Sequence, residues 1–243
     1  MLTGISLLIG SLWGLLYLKE IHFDWKSQLI GVYGITGFHV FYFLGLRRAS
    51  VFEANLINYL WPLLIVLLSP LILKKPIHFK TVFAVSVGFI GLLLALEIYN
   101  LNQFQFSLGH FFSLVAAFIW SSYSLLISRS KHSIGNNAIT CLFSGIICLA
   151  MAYWFDEFNW PQSYEWPFIF AIGLFPLGAS FYLWERGARE LSSQKLGALS
   201  YLTPILSMIF LSIFKGQAPS SIFWIGFIIV LASGYAAHRL EKI

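Results

Sequence analysis

Nine times along the chain a run of about 17 to 21 residues passes with almost no charge, over residues 2–18, 28–46, 53–73, 79–97, 107–127, 138–155, 167–186, 195–214 and 221–238. A helix needs about 20 apolar residues to cross roughly 30 Å of hydrocarbon, and nothing else of that length and composition is stable in lipid. The rest of the composition agrees. Of the 243 residues 58% are hydrophobic and 10% charged, where a soluble domain carries about 25% charge. The chain is therefore read as an all-α polytopic membrane protein with no room for a soluble domain. Its one obligatory partner is the lipid bilayer.

The opening stretch "MLTGISLLIGSLWGLLYLKE" lacks a basic leading segment and a small-x-small cleavage site. It reads as a spanning helix rather than a signal peptide. The formal charge of +5 does not point to nucleic acid, because Lys and Arg fall in short loops and not on one face. Twelve of the 15 lie on one side: Lys19, Lys26, Lys74, Lys75, Lys80, Arg129, Lys131, Arg186, Arg189, Lys195, Arg239 and Lys242. Arg47, Arg48 and Lys215 lie on the other. The positive-inside rule then places the C-terminus in the cytoplasm and the N-terminus of the chain as written outside.

A repeat is hidden in the apolar text. Sliding the sequence by 142 positions aligns residues 31–62 with 173–204 without a gap. Seven pairs become identical: Gly31/Gly173, Gly45/Gly187, Arg47/Arg189, Ser50/Ser192, Tyr59/Tyr201, Leu60/Leu202 and Pro62/Pro204. One inserted residue later, Pro76 meets Pro219 and Gly91 meets Gly234. Arg47 falls outside and Arg189 inside, so the copies are expected to lie upside down relative to each other. Inverted repeats of this kind mark secondary transporters, with a site at mid-membrane.

Two such units, a proline in the fourth helix of each, and "FIWSSY" opening the second resemble the EamA family of the drug/metabolite transporter superfamily. "EANLINYLWPLL", "AAFIWSSYSLL" and "GALSYLTPILS" look most like bacterial aromatic amino acid exporters. The resemblance implies two inverted repeats of a five-helix unit, here residues 1–100 with four helices and residues 105–243 with five. It would place one further helix before Met1, by a mis-assigned start or a genuine truncation. It implies export of small organic metabolites, most readily aromatic or related amino acids, by alternating access through a central cavity. The setting would be a bacterial inner membrane, and a monomer is the expected state. By matching motif, the cavity candidates are Phe38 and Tyr42 of "GFHVFY", Tyr59 and Trp61 of "NYLWP", Trp120 and Tyr123 of "FIWSSY", and Ser200 of "LSYLTP".

The residues add a reading of their own. Pro62 and Pro204 have no N–H and crowd the carbonyls of Asn58 and Ser200. A freed carbonyl in lipid needs protein or a wet space to satisfy it. Either the two prolines simply bend their helices, or the two carbonyls, with the Asn58 and Ser200 side chains, receive a substrate's ammonium group. Ser200, Thr203 and Ser207 make a polar stripe at i, i+3, i+7. Ser113, Ala117, Trp120 and Ser124 make a second stripe, and Gly31, Gly34, Phe38, Tyr42 and Gly45 a third, suited to close helix packing. Tyr59 and Trp61 stand about 200° apart on a regular helix and can share a cavity only where the proline loosens the turn. Trp13, Trp154, Trp160, Trp166 and Trp224 lie near span ends, as interfacial anchors do.

Ionisable groups inside the lipid are functional suspects. His39 is the deepest. It can carry a coupling proton or serve as a neutral histidine hydrogen-bonded between helices. Glu53 is placed either to guard an outer gate or to pair with Arg47 or Arg48, and Glu185 and Arg189 read as an ordinary interfacial pair at i, i+4. Cys141 and Cys148 are seven residues apart on one helix, too far for a disulfide. His22, His78, His110, His132 and His238 lack ligand spacing, so no metal and no cofactor is expected. Asp24 and Asp156 both fall in loops, which removes the paired aspartates an intramembrane protease would need, and the chain is not read as an enzyme. The remaining alternative is a truncated, non-transporting homologue acting as a scaffold or subunit.

Overall fold

The structure is a computed structural model that describes residues 1–74, 76, 78–96, 106–130, 133–155, 158–216 and 218–240. Lys75, Lys131, His132, Asp156, Lys242 and the junction between the expected repeats lie outside the described residues. Among the described residues, eight helices are long and apolar enough to cross a membrane. They are α1 (Leu2–Glu20), α2 (Trp25–Arg48), α3 (Glu53–Leu73), α5 (Leu108–Arg129), α6 (Ile134–Trp154), α7 (Trp166–Glu190), α8 (Ser193–Lys215) and α9 (Ser221–Leu240). A further apolar helix, α4 (Phe79–Ala95), has 17 residues. It spans about 26 Å, a little under the hydrocarbon thickness. Together these occupy the nine apolar runs, and no strand occurs among the described residues.

Polar caps fix several of the helix starts. Asp24 takes the backbone N–H of Ser27 at 3.1 Å, so α2 starts three residues earlier than its apolar run. Ser50 and Glu53 form a capping box at the start of α3, and Ser192 caps α8 by accepting from Lys195 N at 3.3 Å.

The irregularities of the chain repeat at the same 142-residue offset. A π-turn interrupts α2 at Tyr33–Gly37 and another interrupts α7 at Phe175–Ala179. The α3 helix breaks after Asn58 and α8 after Ser200. Both end in a left-handed residue, Lys74 at φ 55° and Gly216 at φ 65°. Helical defects at matching positions are costly features, and two copies in register are hard to produce except by duplication of the backbone plan.

The chain divides into two compact units. One comprises Met1–Phe41 and Leu126–Glu190. Here α1 approaches α6 at Gly4 and Gly145, where an added Cβ on either would stand 3.0 Å from the other's carbonyl oxygen. It also approaches α7 closely, where an added Cβ on Gly10 would meet the Leu177 carbonyl and one on Gly173 would stand 2.7 Å from the Ser6 carbonyl oxygen. Gly31 lies against Thr140, and Thr140 Oγ1 donates to Gln28 Oε1 at 2.8 Å, tying α6 to α2. Small residues thus bring backbones together where no hydrophobic force drives association. Trp13, expected as an interfacial anchor, makes a more specific contact. Its indole N–H donates to the Leu174 carbonyl at 2.7 Å, beside the π-turn that contains Pro176.

The other unit comprises Tyr42–Leu125 and Leu191–Ile243. Its core runs through Val66, Val85, Leu92, Tyr201, Ile205, Phe223 and Val230, from α3, α4, α8 and α9. Gly91 on α4 packs against Gly226 on α9, with 3.0 Å left between a Cβ built there and the Gly226 oxygen. Gly45 sits against Ser113, a close approach between α2 and α5.

Candidate functional site

Most of the sequence candidates fall in this second unit: Tyr42, Asn58, Tyr59, Trp61, Trp120, Tyr123, Ser200 and Thr203. Phe38 and His39 belong to the first.

The centre of the site is the break in α3. Tyr59 and Leu60 leave the helix, and Pro62 enters the first turn of the segment that restarts at Trp61. Proline suits that position because its missing N–H would be unsatisfied there in any case. The break turns Tyr59 and Trp61 to different neighbours. Tyr59 packs on the apolar core of which Tyr201 and Val66 are members. Trp61 meets Trp120 edge to face, with centroids 6.5 Å apart and planes at 83°. Trp120 in turn lies 5.4 Å from Tyr123. The Trp61 carbonyl accepts from Ser121 Oγ at 3.2 Å, which ties the restarted helix to α5. Edge-to-face packing presents ring hydrogens to a π face and suits a further aromatic ring equally well.

Asn58 is 6% exposed, and its Oδ1 meets no hydrogen-bond donor among the described residues. An amide oxygen buried without a donor costs about 1–3 kcal/mol. It stands three residues before Trp61, next to the carbonyl that Pro62 deprives of its helical donor. Its counterpart Ser200 is also buried, but its hydroxyl is occupied, donating to the Leu196 carbonyl at 2.5 Å. Thr203 is exposed. The polar stripe of α8 therefore does not act as one surface: Ser200 is turned inward and bonded, while Thr203 and Ser207 are exposed.

Tyr42 is placed by a residue outside the sequence candidates. Its hydroxyl donates to Asn55 Oδ1 at 2.6 Å, and Asn55 Nδ2 donates to the Val51 carbonyl at 2.8 Å. In the sequence Asn55 shows only as a polar residue in an apolar helix. Its partner 13 residues away reveals what it does. At the start of α5, His110 is buried and accepts the Ser107 backbone N–H on Nδ1 at 2.8 Å, while Nε2 lies 3.3 Å from Glu53 Oε2. Glu53, expected at an outer gate, thus joins the caps of α3 and α5.

In the first unit, His39 is buried with Nδ1 2.7 Å from the Ile35 carbonyl, one turn back on its own helix. A carbonyl only accepts, so Nδ1 carries a proton. The ring is edge-on to Phe38 at 5.2 Å and to Phe181 at 6.2 Å. Phe38 is half-buried. Glu185 departs from its reading as half of an ordinary interfacial pair. It is wholly buried and accepts from Arg189 Nη2 one turn on, and Arg189 also reaches Ser130 Oγ at 3.4 Å. The cause is helical phase: Phe181, Tyr182, Glu185 and Ala188 form the buried face of this helix.

An all-helical polytopic bundle, with helices broken at prolines beside aromatic side chains and an unsatisfied amide, is the construction of a membrane transporter. A model described as the EamA-like transporter family matches residues 1–96 and 107–236, and the chain belongs to that family. Among curated relatives, the aromatic amino acid exporter YddG of Ancylobacter novellus is 29% identical over 255 aligned positions, covering 100% of this chain and 88% of the relative. The protein of the same name from Escherichia coli strain K12 is 25% identical over 252 positions, covering 94% and 84%. A solved crystal structure superposes with a TM-score of 0.88 at 30% identity, covering 98% of this chain and 88% of that one.

Proposed function

We propose that this transporter exports amino acids with aromatic or related side chains across a bacterial plasma membrane. The observation that carries the reading is the pairing of Trp61 with Trp120 and Tyr123 beside the α3 break, next to the orphaned Asn58 oxygen. The curated relatives named as aromatic amino acid exporters support the substrate class.

An α-amino acid brings a cation and a side chain. The ammonium donates to the Asn58 Oδ1 and to the carbonyl that Pro62 frees; the charge strengthens each bond to roughly twice that of a neutral pair. The substrate ring packs among Trp61, Trp120 and Tyr123, with Tyr42 held at the margin by Asn55. Phe38, Tyr59, Ser200 and Thr203 remain candidates by motif alone, Pro204 supplies the matching break in α8, and His39 remains the candidate for proton coupling. Alternating access is the mode, since breaks at equivalent points of the two repeats allow the two halves of each helix to tilt separately. The Lys and Arg bias puts the C-terminal end of α9 in the cytoplasm.

The test is transport by the purified protein in proteoliposomes, with labelled Phe, Trp and Thr and an imposed pH gradient. Saturable Phe and Trp flux, competed by unlabelled aromatic amino acids, is the expected result. Flux of Thr with none of Phe or Trp would reject the aromatic assignment, and no amino acid flux would reject the proposal.

A further inference from the structure

Away from these residues, the second unit carries a groove of about 580 Å³ between α4 and α9. Its walls are Phe79, Phe83 and Val87 on one side and Ala232, Ala236 and Leu240 on the other. Ala84 and Ser233 also line it, and both are buried. The wall residues recur at i, i+4, i+8 on both helices, so the groove runs along the helix axes for about 12 Å. Phe79 and Phe83 are exposed beside it, and small residues on α9 open the space between them. Ser233 is turned against Gly88 rather than into solvent, which leaves the groove nearly free of polar surface.

The exception is Lys80, the one charged residue lining it among the described residues. Lys80 lies at the α4 end of the groove that Leu240 reaches from α9, so the groove has an apolar length and a cationic end. That end belongs to the basic side of the membrane: Lys74 precedes α4, and Arg239 is next to Leu240 in sequence. A slot of this polarity matches one kind of occupant, an amphiphile with an acyl chain and an anionic head. We propose that the α4–α9 groove is a binding site for an anionic phospholipid of the cytoplasmic leaflet, with an acyl chain along Phe83, Val87, Ala232 and Ala236 and the phosphate on Lys80. The site is independent of the export substrate.

The experiment compares lipid retention by the detergent-purified full chain in native mass spectrometry. The probes are phosphatidylglycerol and phosphatidylcholine with identical acyl chains. The wild type is expected to retain phosphatidylglycerol about fivefold better, the effect of one basic residue near an anionic phosphate. Lys80→Gln should bring the two lipids level, and Lys80→Arg should keep the preference. Ala236→Trp, which fills the groove, should lower retention of both. Equal retention by the wild type, a preference that survives Lys80→Gln or is lost in Lys80→Arg, or an Ala236→Trp protein that binds both lipids as before would overturn the site.

Discussion

The breaks in α3 and α8 have the same backbone and different contents. Each is preceded by a serine cap, each interrupts its helix at a tyrosine, each restarts around a proline, and each ends in a left-handed residue. The side chains at equivalent positions have diverged: Asn55 corresponds to Gly197, Asn58 to Ser200, and Trp61 to Thr203. In α3 these residues hold Tyr42, leave an amide oxygen unsatisfied and pack on Trp120. In α8 the serine is bonded within its own helix, and Gly197 has become a contact, with 2.6 Å from a Cβ built there to the Pro62 carbonyl oxygen. The same backbone plan stands in both copies, and the unsatisfied amide and the paired aromatic rings stand at only one of them.

The sharpest way to break this asymmetry is at Trp61 and Thr203. Trp61→Ala should weaken Trp or Phe binding about 30-fold, the ~2 kcal/mol of an aromatic anchor, while Thr203→Ala stays within about twofold. Equal losses, measured as transport KM in proteoliposomes, would show that both breaks contact substrate. Pro62→Ala and Pro204→Ala come next. Alanine restores an N–H to the Asn58 or Ser200 carbonyl, and Pro62→Ala should cost about tenfold in amino acid affinity, near 1.5 kcal/mol for a lost bond to a charged group. Pro204→Ala should cost less. Unchanged binding in both would leave the prolines as bends alone.

The next two comparisons concern the scaffold. Gly197→Ala should lower stability by about 1–3 kcal/mol, since the methyl meets backbone that cannot yield cheaply. Lys74→Gly should raise it by about 1 kcal/mol, because Lys74 holds the left-handed conformation that Gly216 adopts without steric cost. Thermal unfolding in detergent reads both, and a stabilised Gly197→Ala would show that the contact between α8 and Pro62 is loose. The smallest effect belongs to Tyr42→Phe. Loss of the Asn55 bond should change substrate affinity about fivefold at most, from a net ~1 kcal/mol hydrogen bond, with Asn55→Leu giving a similar value.

Much of the backbone plan is legible in the residues. Apolar length announces the spans and Pro62 and Pro204 announce the breaks, because each acts through local chemistry. Even the duplication can be read, since Arg47/Arg189 and Tyr59/Tyr201 keep a fixed offset. The site is less legible. Sequence motifs mark Trp61 and Trp120, but they mark Ser200 and Thr203 equally, and the fates of these residues differ. Asn55 lies within the EANLINYLWPLL stretch without being singled out by it, and the i, i+4 spacing of Glu185 and Arg189 suits an interfacial pair as well as a buried one.

What the chain alone decides is where it is helical and where the helix must fail, because hydrogen-bond supply and apolar length are properties of neighbouring residues. Only the tertiary structure decides which side chains are spoken for. Whether the Ser200 hydroxyl is occupied, whether the Asn58 oxygen is left waiting, and whether Glu185 is buried against Arg189 depend on helical phase and on neighbours far away in sequence. Sequence spacing locates such groups on a helix and does not choose the surface that helix will meet.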